Sequence, residues 1–193
     1  MKTKKTQLIL ASSSPRRVAL LASCGIAPDK IRPAEIDETS LSKELPRALA
    51  SRLALAKAKE VAKTNPDAIV LGADTVVACG RRILPKAETA QDVRACLTLL
   101  SGRRHHVLTG VALILPEGGI LSRLADSSVT FKRLTESEIE SYVISGEGIG
   151  KAGGYAIQGR AAMLVRAMAG SYSNIVGLPL FDVGQMLKSC GYL

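Results

Sequence analysis

The sequence predicts an α/β protein, a mixed sheet flanked by helices. Three observations support this. Strand-like and helix-like segments interleave along the chain without the regular alternation of a pure βαβ series. With 193 residues, 47% of them hydrophobic, the chain can bury one sizeable core, in one lobe or two. No linker, internal repeat or low-complexity tract divides it, so residues 1–193 are expected to form a single domain.

The elements follow in order. Leu8 to Ala11 is a short buried strand. Ser14-Pro15 reads as a helix N-cap followed by proline at the first helical position, where a missing N–H does least harm. Val18, Leu21 and Ala22 are spaced for one buried face, and Gly25 is a natural stop. "AEIDETSLSKELP" is a polar, acidic connector. Pro46 opens a long helix through Arg52, Lys57 and Lys59, ending before Asn65-Pro66. "AIVLGADTVVA", residues 68–78, is a buried-strand pattern interrupted by Gly72 and Asp74.

Thr89 with Asp92 opens a helix over residues 89–100. "SGRRHH" reads as a turn into the strand "VLTGVALIL", and "PEGG" as a hairpin-like break before more strand around residues 128–131. Thr135 with Glu138 makes a capping box for the next helix. The glycine-rich "SGEGIGKAGGYAIQGRAAM" must be largely loop. A strand near residues 163–168 follows, and "GSYSNIVGLPL" leads into a final helix ending near Gly191.

The net charge of +9 favours a polyanionic partner: a nucleotide, a nucleic acid or an acidic membrane surface. Two Phe, four Tyr and no Trp leave few rings on which bases could stack, which counts against single-strand and RNA-recognition modules. There is also no zinc-finger spacing and no lysine-rich tail, so nucleic acid is not the expected partner. No run approaches the roughly 20 apolar residues of a membrane span. The start "MKTKKTQLILASS" has the basic residues of a signal peptide, but its apolar core is only Leu8 to Ala11, short of the about 7 to 15 residues required. Cys24, Cys79, Cys96 and Cys190 form no CxxC pair, so reduced thiols in a cytoplasmic protein are expected.

Two segments could carry chemistry. "LILASSSPRR" runs from strand to helix start, where unpaired N–H groups carry partial positive charge and can hold a phosphate. Ser12, Ser13 and Ser14 add hydroxyls, and Arg16 and Arg17 add charge in bidentate form. A plain capped helix with solvated arginines explains the same residues. Asp74 lies in a run that otherwise looks fully buried, so it needs a cation, a metal or hydrogen bonds. Either it caps a turn at a strand end, or a bulge at Gly72 aims it into a cleft as a metal ligand or a base. Glu35, Asp37 and Glu38 are connector carboxylates, and Lys57 sits on a helix where most lysines face water. Lys86 follows Pro85 in an exposed-looking turn, and the adjacent His105 and His106 read as surface or structural residues. No GxSxG elbow occurs. "GKAGGYAIQG" is either a mobile loop over a site or a long surface loop.

Taken in order, "LASSSPRR", "GADTVV", "LSGRRHHVLTG", "KAGGYAIQG" and "GSYSNIVGLPL" resemble the signatures of the Maf family of nucleoside triphosphate pyrophosphatases, over nearly the whole chain. The form "YAIQG" resembles the subgroup acting on dTTP and UTP. The alternatives are the related 7-methyl-GTP subgroup and a non-enzymatic septation or nucleic-acid-binding regulator. The resemblance implies an ITPase-like, two-lobed α/β fold with the site in the cleft, often as a homodimer. It implies cleavage between the α- and β-phosphates with a divalent metal, Mg²⁺ or Mn²⁺. Asp74 matches the family's proposed proton acceptor, and Arg16, Thr75 and Gln158 match positions tied to base selectivity. Ser12, Ser14, Arg17, Lys57 and Lys86 match the substrate pocket, with Glu35 and Asp74 as metal ligands. The family often reads "LGKP" where this chain has "LPKA", so a different local turn is expected around Lys86, and Pro85 has no N–H to donate.

Overall fold

The computed structural model describes residues 6–193. Lys2, Lys4 and Lys5, the basic start expected of a signal peptide, lie outside the described residues. The fold is the expected mixed α/β arrangement. Its sheet runs in the order β2 (Lys30–Ile31), β1 (Leu8–Ala11), β3 (Ile69–Cys79), β5 (Arg104–Ile114), β6 (Ile120–Phe131) and β7 (Val165–Ala169). β4 (Arg82–Leu84) adds to β3 at its far end. β2, β1 and β3 are parallel, and β3, β5, β6 and β7 antiparallel. The hairpin at "PEGG" pairs Ile114 with Ile120, and β6 begins well before the expected residue 128.

Helices cover both faces. α1 (Pro15–Ser23) and α6 (Leu180–Ser189) enclose a core with Leu8, Leu10, Leu71 and Leu113. α2 (Pro46–Ala62) lies on the other face against β3 and β5. Its Ala50, Ala54 and Ala58 recur every fourth residue and are fully buried, which lets the helix approach closely. A Cβ on Gly72 would fall 2.3 Å from the Ala54 carbonyl oxygen, and one on Gly110 2.3 Å from that of Ala50. Gly72 forms no bulge, which removes one of the two alternatives read for Asp74. The β3–β5 register runs unbroken from Val70 to Ala78, and the glycine serves helix packing instead. A separate core gathers α3 (Ala90–Leu100), α4 (Glu136–Ser145) and the ends of β3, β5 and β6 around Phe131, Leu97 and Leu100.

Both capping boxes form, Thr89 with Asp92 and Thr135 with Glu138. Other details differ from the sequence reading. On α1, Leu21 is buried but Ala22 is exposed, and Arg17 takes the inward position instead. Ser14 holds the N-cap position without a side-chain cap bond. The histidines lie in β5 rather than in a turn, and His105 is fully buried. Met163 belongs to a short 3₁₀ turn, Arg160–Met163, before β7. The segment after β7 makes a short helix α5 (Tyr172–Val176) before α6.

Candidate active site

One strand carries the geometry. β1 pairs β3 only as far as Gly72, and β4 resumes at Val77. Residues 73–76 of β3 are therefore partnered on the β5 side alone, and the sheet opens there. A cavity of about 940 Å³ occupies the opening. Its lining includes the Ser12–Arg17 turn, Lys86, Lys151 and Gln158. Asp74 thus stands in the middle of a strand, not at its end, and it reaches the cavity because a neighbouring strand stops short.

Asp74 is 7% exposed, and its Oδ1 accepts a hydrogen bond from Lys57 Nζ at 2.6 Å. Lys57 reaches it from α2 because the alanine stripe brings that helix onto β3. Lys57 Nζ also lies 2.7 Å from Glu38 Oε1. Burial pushes the Asp74 carboxyl above its usual range, and Lys57 and Arg17 pull it partly back. One ammonium between two carboxylates, with the Arg17 guanidinium also acting on Asp74, leaves this wall compensated.

Arg17 is an internal brace. Its Nε donates to the Gly177 carbonyl at 2.9 Å, Nη1 to Ser12 Oγ at 2.9 Å and Nη2 to Thr75 Oγ1 at 3.2 Å. Thr75 Oγ1 also lies 3.0 Å from Thr109 Oγ1. Arg17 therefore ties α1, β3 and the chain after α5 together and sets the positions of Ser12 and Thr75. Ser12, Ser14 and Thr75 all line the cavity.

The opposite wall is cationic. Arg16, Lys86 and Lys151 line it, and among the described residues none of them sits in an ion pair. Arg16 Nε is buried without a hydrogen-bond partner. Burial lowers the pKa of Lys151, and the positive charges of Arg16 and Lys86 lower it further. Mutual repulsion of three cations costs stability, so the arrangement suits a ligand that brings several negative charges.

Lys86 is held despite the altered turn. The Pro85 carbonyl accepts from Gly153 N at 3.0 Å, Ala87 N donates to the Lys151 carbonyl at 3.0 Å, and Gly150 N donates to the Ala87 carbonyl at 2.7 Å. Pro85 takes part through its carbonyl, so this contact with the loop does not need the N–H that proline lacks. The glycine-rich loop is thus pinned beside Lys86 rather than free over the site.

Glu35 is exposed and is not among the residues lining the cavity, whereas Glu38 is. Gln158 is exposed at the rim. The sequence reading missed Glu38 and Lys151. No spacing rule singles out Glu38 among the connector carboxylates. Lys151 stands in the glycine run "GKAGG", which reads from sequence only as a mobile or surface loop.

A divalent cation is tested by the donors present. Among the described residues no group of three His, Cys, Asp or Glu side chains is arranged to hold a metal. Asp74 and Glu38 supply two carboxylates facing a wide cavity. That set fits a hard cation which keeps waters and takes its remaining oxygens from phosphates. It does not fit a permanently caged metal. All four cysteines are free thiols. No described helix is long and apolar enough to cross a membrane.

Fold and site together define an α/β protein whose open sheet presents a buried carboxylate on one wall and unpaired cations on the other, a cleft for a polyanionic ligand. The chain belongs to the Maf-like protein family, whose sequence profile matches residues 7–190. It is 56% identical over 185 residues to the "dTTP/UTP pyrophosphatase" of Caulobacter vibrioides, covering 96% of each chain. It is 58% identical over 185 residues to the protein of the same name from Paramagnetospirillum magneticum, covering 96% of this chain and 97% of that one. A HAM1 protein from Coxiella burnetii shares the fold, with a TM-score of 0.53 at 14% identity over 95% of this chain and 99% of that one.

Proposed function

We propose that this chain hydrolyses dTTP and UTP between the α- and β-phosphates, releasing the nucleoside monophosphate and pyrophosphate. The observation that carries the reading is the pairing of Asp74 with the uncompensated trio Arg16, Lys86 and Lys151 in one cavity. A triphosphate brings the negative charge that the trio lacks. The relatives named above, at more than half identity over nearly the full chain, supply the substrate class.

Position supports the following division of labour. Lys86 and Lys151 hold the β- and γ-phosphates, and Arg16 meets the chain beside the start of α1. Ser12 and Ser14 donate hydroxyl hydrogen bonds to phosphate oxygens. Arg17 braces Ser12 and Thr75 from behind and does not have to move. Asp74, partly neutralised by Lys57 and raised by burial, accepts a proton from the attacking water. The water oxygen bonds to the α-phosphorus, the bridging oxygen leaves with pyrophosphate, and the proton rests on Asp74. Asp74 and Glu38 are the groups that would hold Mg²⁺ or Mn²⁺, which when bound would neutralise phosphate charge and acidify water. Gln158, at the rim, offers both a donor and an acceptor to the imide edge shared by thymine and uracil.

The test is pyrophosphate release across dTTP, UTP, CTP, 7-methyl-GTP and the purine triphosphates, with Mg²⁺, Mn²⁺ or chelator. Metal-dependent release confined to dTTP and UTP is expected. Release from 7-methyl-GTP instead would move the chain to the other substrate class.

A further inference from the structure

The glycine-rich loop over the cavity is held in two different ways. Its first half, which carries Lys151, is packed by glycines against neighbouring elements. A Cβ on Gly153 would fall 2.7 Å from Val77 Cγ1, and one on Gly154 2.9 Å from Cys96 Cβ. Its second half, residues 155–158, is packed through Tyr155 and Ile157 into the core and takes its polar ties from two phenols. Ala156 N donates to the Tyr142 hydroxyl at 3.1 Å, and the Tyr155 hydroxyl lies 2.7 Å from His105 Nε2. Gln158 ends this half.

His105 is well placed to hold Tyr155. It sits in β5, fully buried, while Tyr155 is 6% exposed and lines the cavity. The rings of His105, Tyr155 and Phe131 meet edge to face, with centroids 4.9 to 5.4 Å apart. The His105–Tyr155 bond runs from the rigid sheet to the loop, between residues 50 apart in sequence. The Arg103 backbone also acts on the imidazole, but among the described residues the Tyr155 hydroxyl is the side-chain group hydrogen-bonded to it. An imidazole buried this deeply for packing alone would be replaceable by an apolar side chain at no polar cost.

We propose that His105 is a positioning residue for nucleotide selection: its bond to the Tyr155 hydroxyl fixes the half-loop 155–158 and so sets where Gln158 meets the base. This rests on the pyrophosphatase reading, with Gln158 at the base. The phosphate-holding half of the loop, tied by glycines and by Lys86, does not depend on His105.

The test compares wild type, Tyr155→Phe, His105→Leu, His105→Gln and the Tyr155→Phe/His105→Leu double variant, using dTTP, UTP and CTP as substrates. Hydrogen exchange over residues 150–158 is read in parallel. Tyr155→Phe keeps the ring and removes only the hydroxyl, so it isolates the bond from the packing. Tyr155→Phe and His105→Leu are each expected to lower kcat/KM for dTTP and UTP by about two- to tenfold, the loss of one net hydrogen bond. The loss falls on KM, the preference over CTP shrinks, and exchange quickens at 155–158 but not at 150–153. His105→Gln, which keeps a polar atom near Nε2, recovers most of the preference. The double variant is no worse than the worse single one. An unchanged preference, an equal loss on all three substrates, or a fall in kcat at constant KM would overturn the proposal. If wild type releases no pyrophosphate from any substrate, the activity reading fails by itself. The exchange measurement then still decides the strut, and equal protection in all variants would refute it.

Discussion

On the β3 wall of the cavity, Lys57 sits between Asp74 and Glu38, at 2.6 and 2.7 Å, and every buried charge has an opposite within reach. On the facing wall, Lys151 feels the positive charges of Arg16 and Lys86, and among the described residues none of the three sits in an ion pair. The first wall is assembled before any ligand arrives. The second is completed only by one. A buried ion pair fixes a proton-accepting group and is costly to break, whereas unpaired cations store repulsion that a polyanion relieves. The account assigns chemistry to the compensated wall and substrate capture to the uncompensated one. Variants on the two walls should therefore fail in different ways.

The largest effect belongs to Asp74→Asn. It keeps the shape and removes the proton acceptor, so kcat should fall by about 10²- to 10⁴-fold with KM little changed and the circular dichroism spectrum intact. Lys57→Met comes next and breaks the compensated wall itself. It leaves Asp74 buried without its cation, which should cost about 3 kcal/mol in a urea titration. It also has a pH signature. Lys57 opposes the upward push of burial on Asp74, so its removal raises that carboxyl further. The acid limb of the kcat profile must then move to higher pH, and an unmoved limb would separate Asp74 from catalysis.

Gly72→Ala attacks the same wall through packing. The added Cβ meets the Ala54 carbonyl at 2.3 Å, so α2 must lift and carry Lys57 away from Asp74. The expected cost is about 1 to 3 kcal/mol, with a fall in kcat that a surface variant of equal stability would not show. Lys151→Gln, on the other wall, should show the opposite sign. KM for the triphosphate rises by about tenfold, as expected when a charge-assisted contact is lost, while unfolding by urea shifts to higher, not lower, denaturant. A loss of stability in Lys151→Gln would erase the contrast between the walls.

The parts of this arrangement that were legible in the sequence are the local ones. The Thr89–Asp92 and Thr135–Glu138 boxes and the strand Leu8–Ala11 are decided within a few residues. Asp74 stood out because a carboxylate in an apolar run demands a partner. The partner did not stand out. Lys57 looks like any helix lysine until the alanine stripe of α2 lies on Gly72 and Gly110, a contact between distant segments. Glu38 and His105 were equally hidden, one by a connector with several carboxylates and the other by a turn-like "SGRRHH". Whether a strand begins at Arg104 is settled by its pairing with Thr130, not by local propensity. The family resemblance pointed to Ser12, Ser14, Arg16, Arg17, Lys57, Asp74, Thr75, Lys86 and Gln158, which line the cavity, and to Glu35, which does not, and it gave no division into paired and unpaired walls.

The most direct test of that division is a pair of measurements on Asp74→Asn with dTTP and Mg²⁺: pyrophosphate release, and equilibrium binding of the unreacted triphosphate. The account predicts release nearly abolished, with binding weakened far less, by no more than the loss of one of the two metal-holding carboxylates. Release at the wild-type rate, or lost binding in a folded variant, would contradict it.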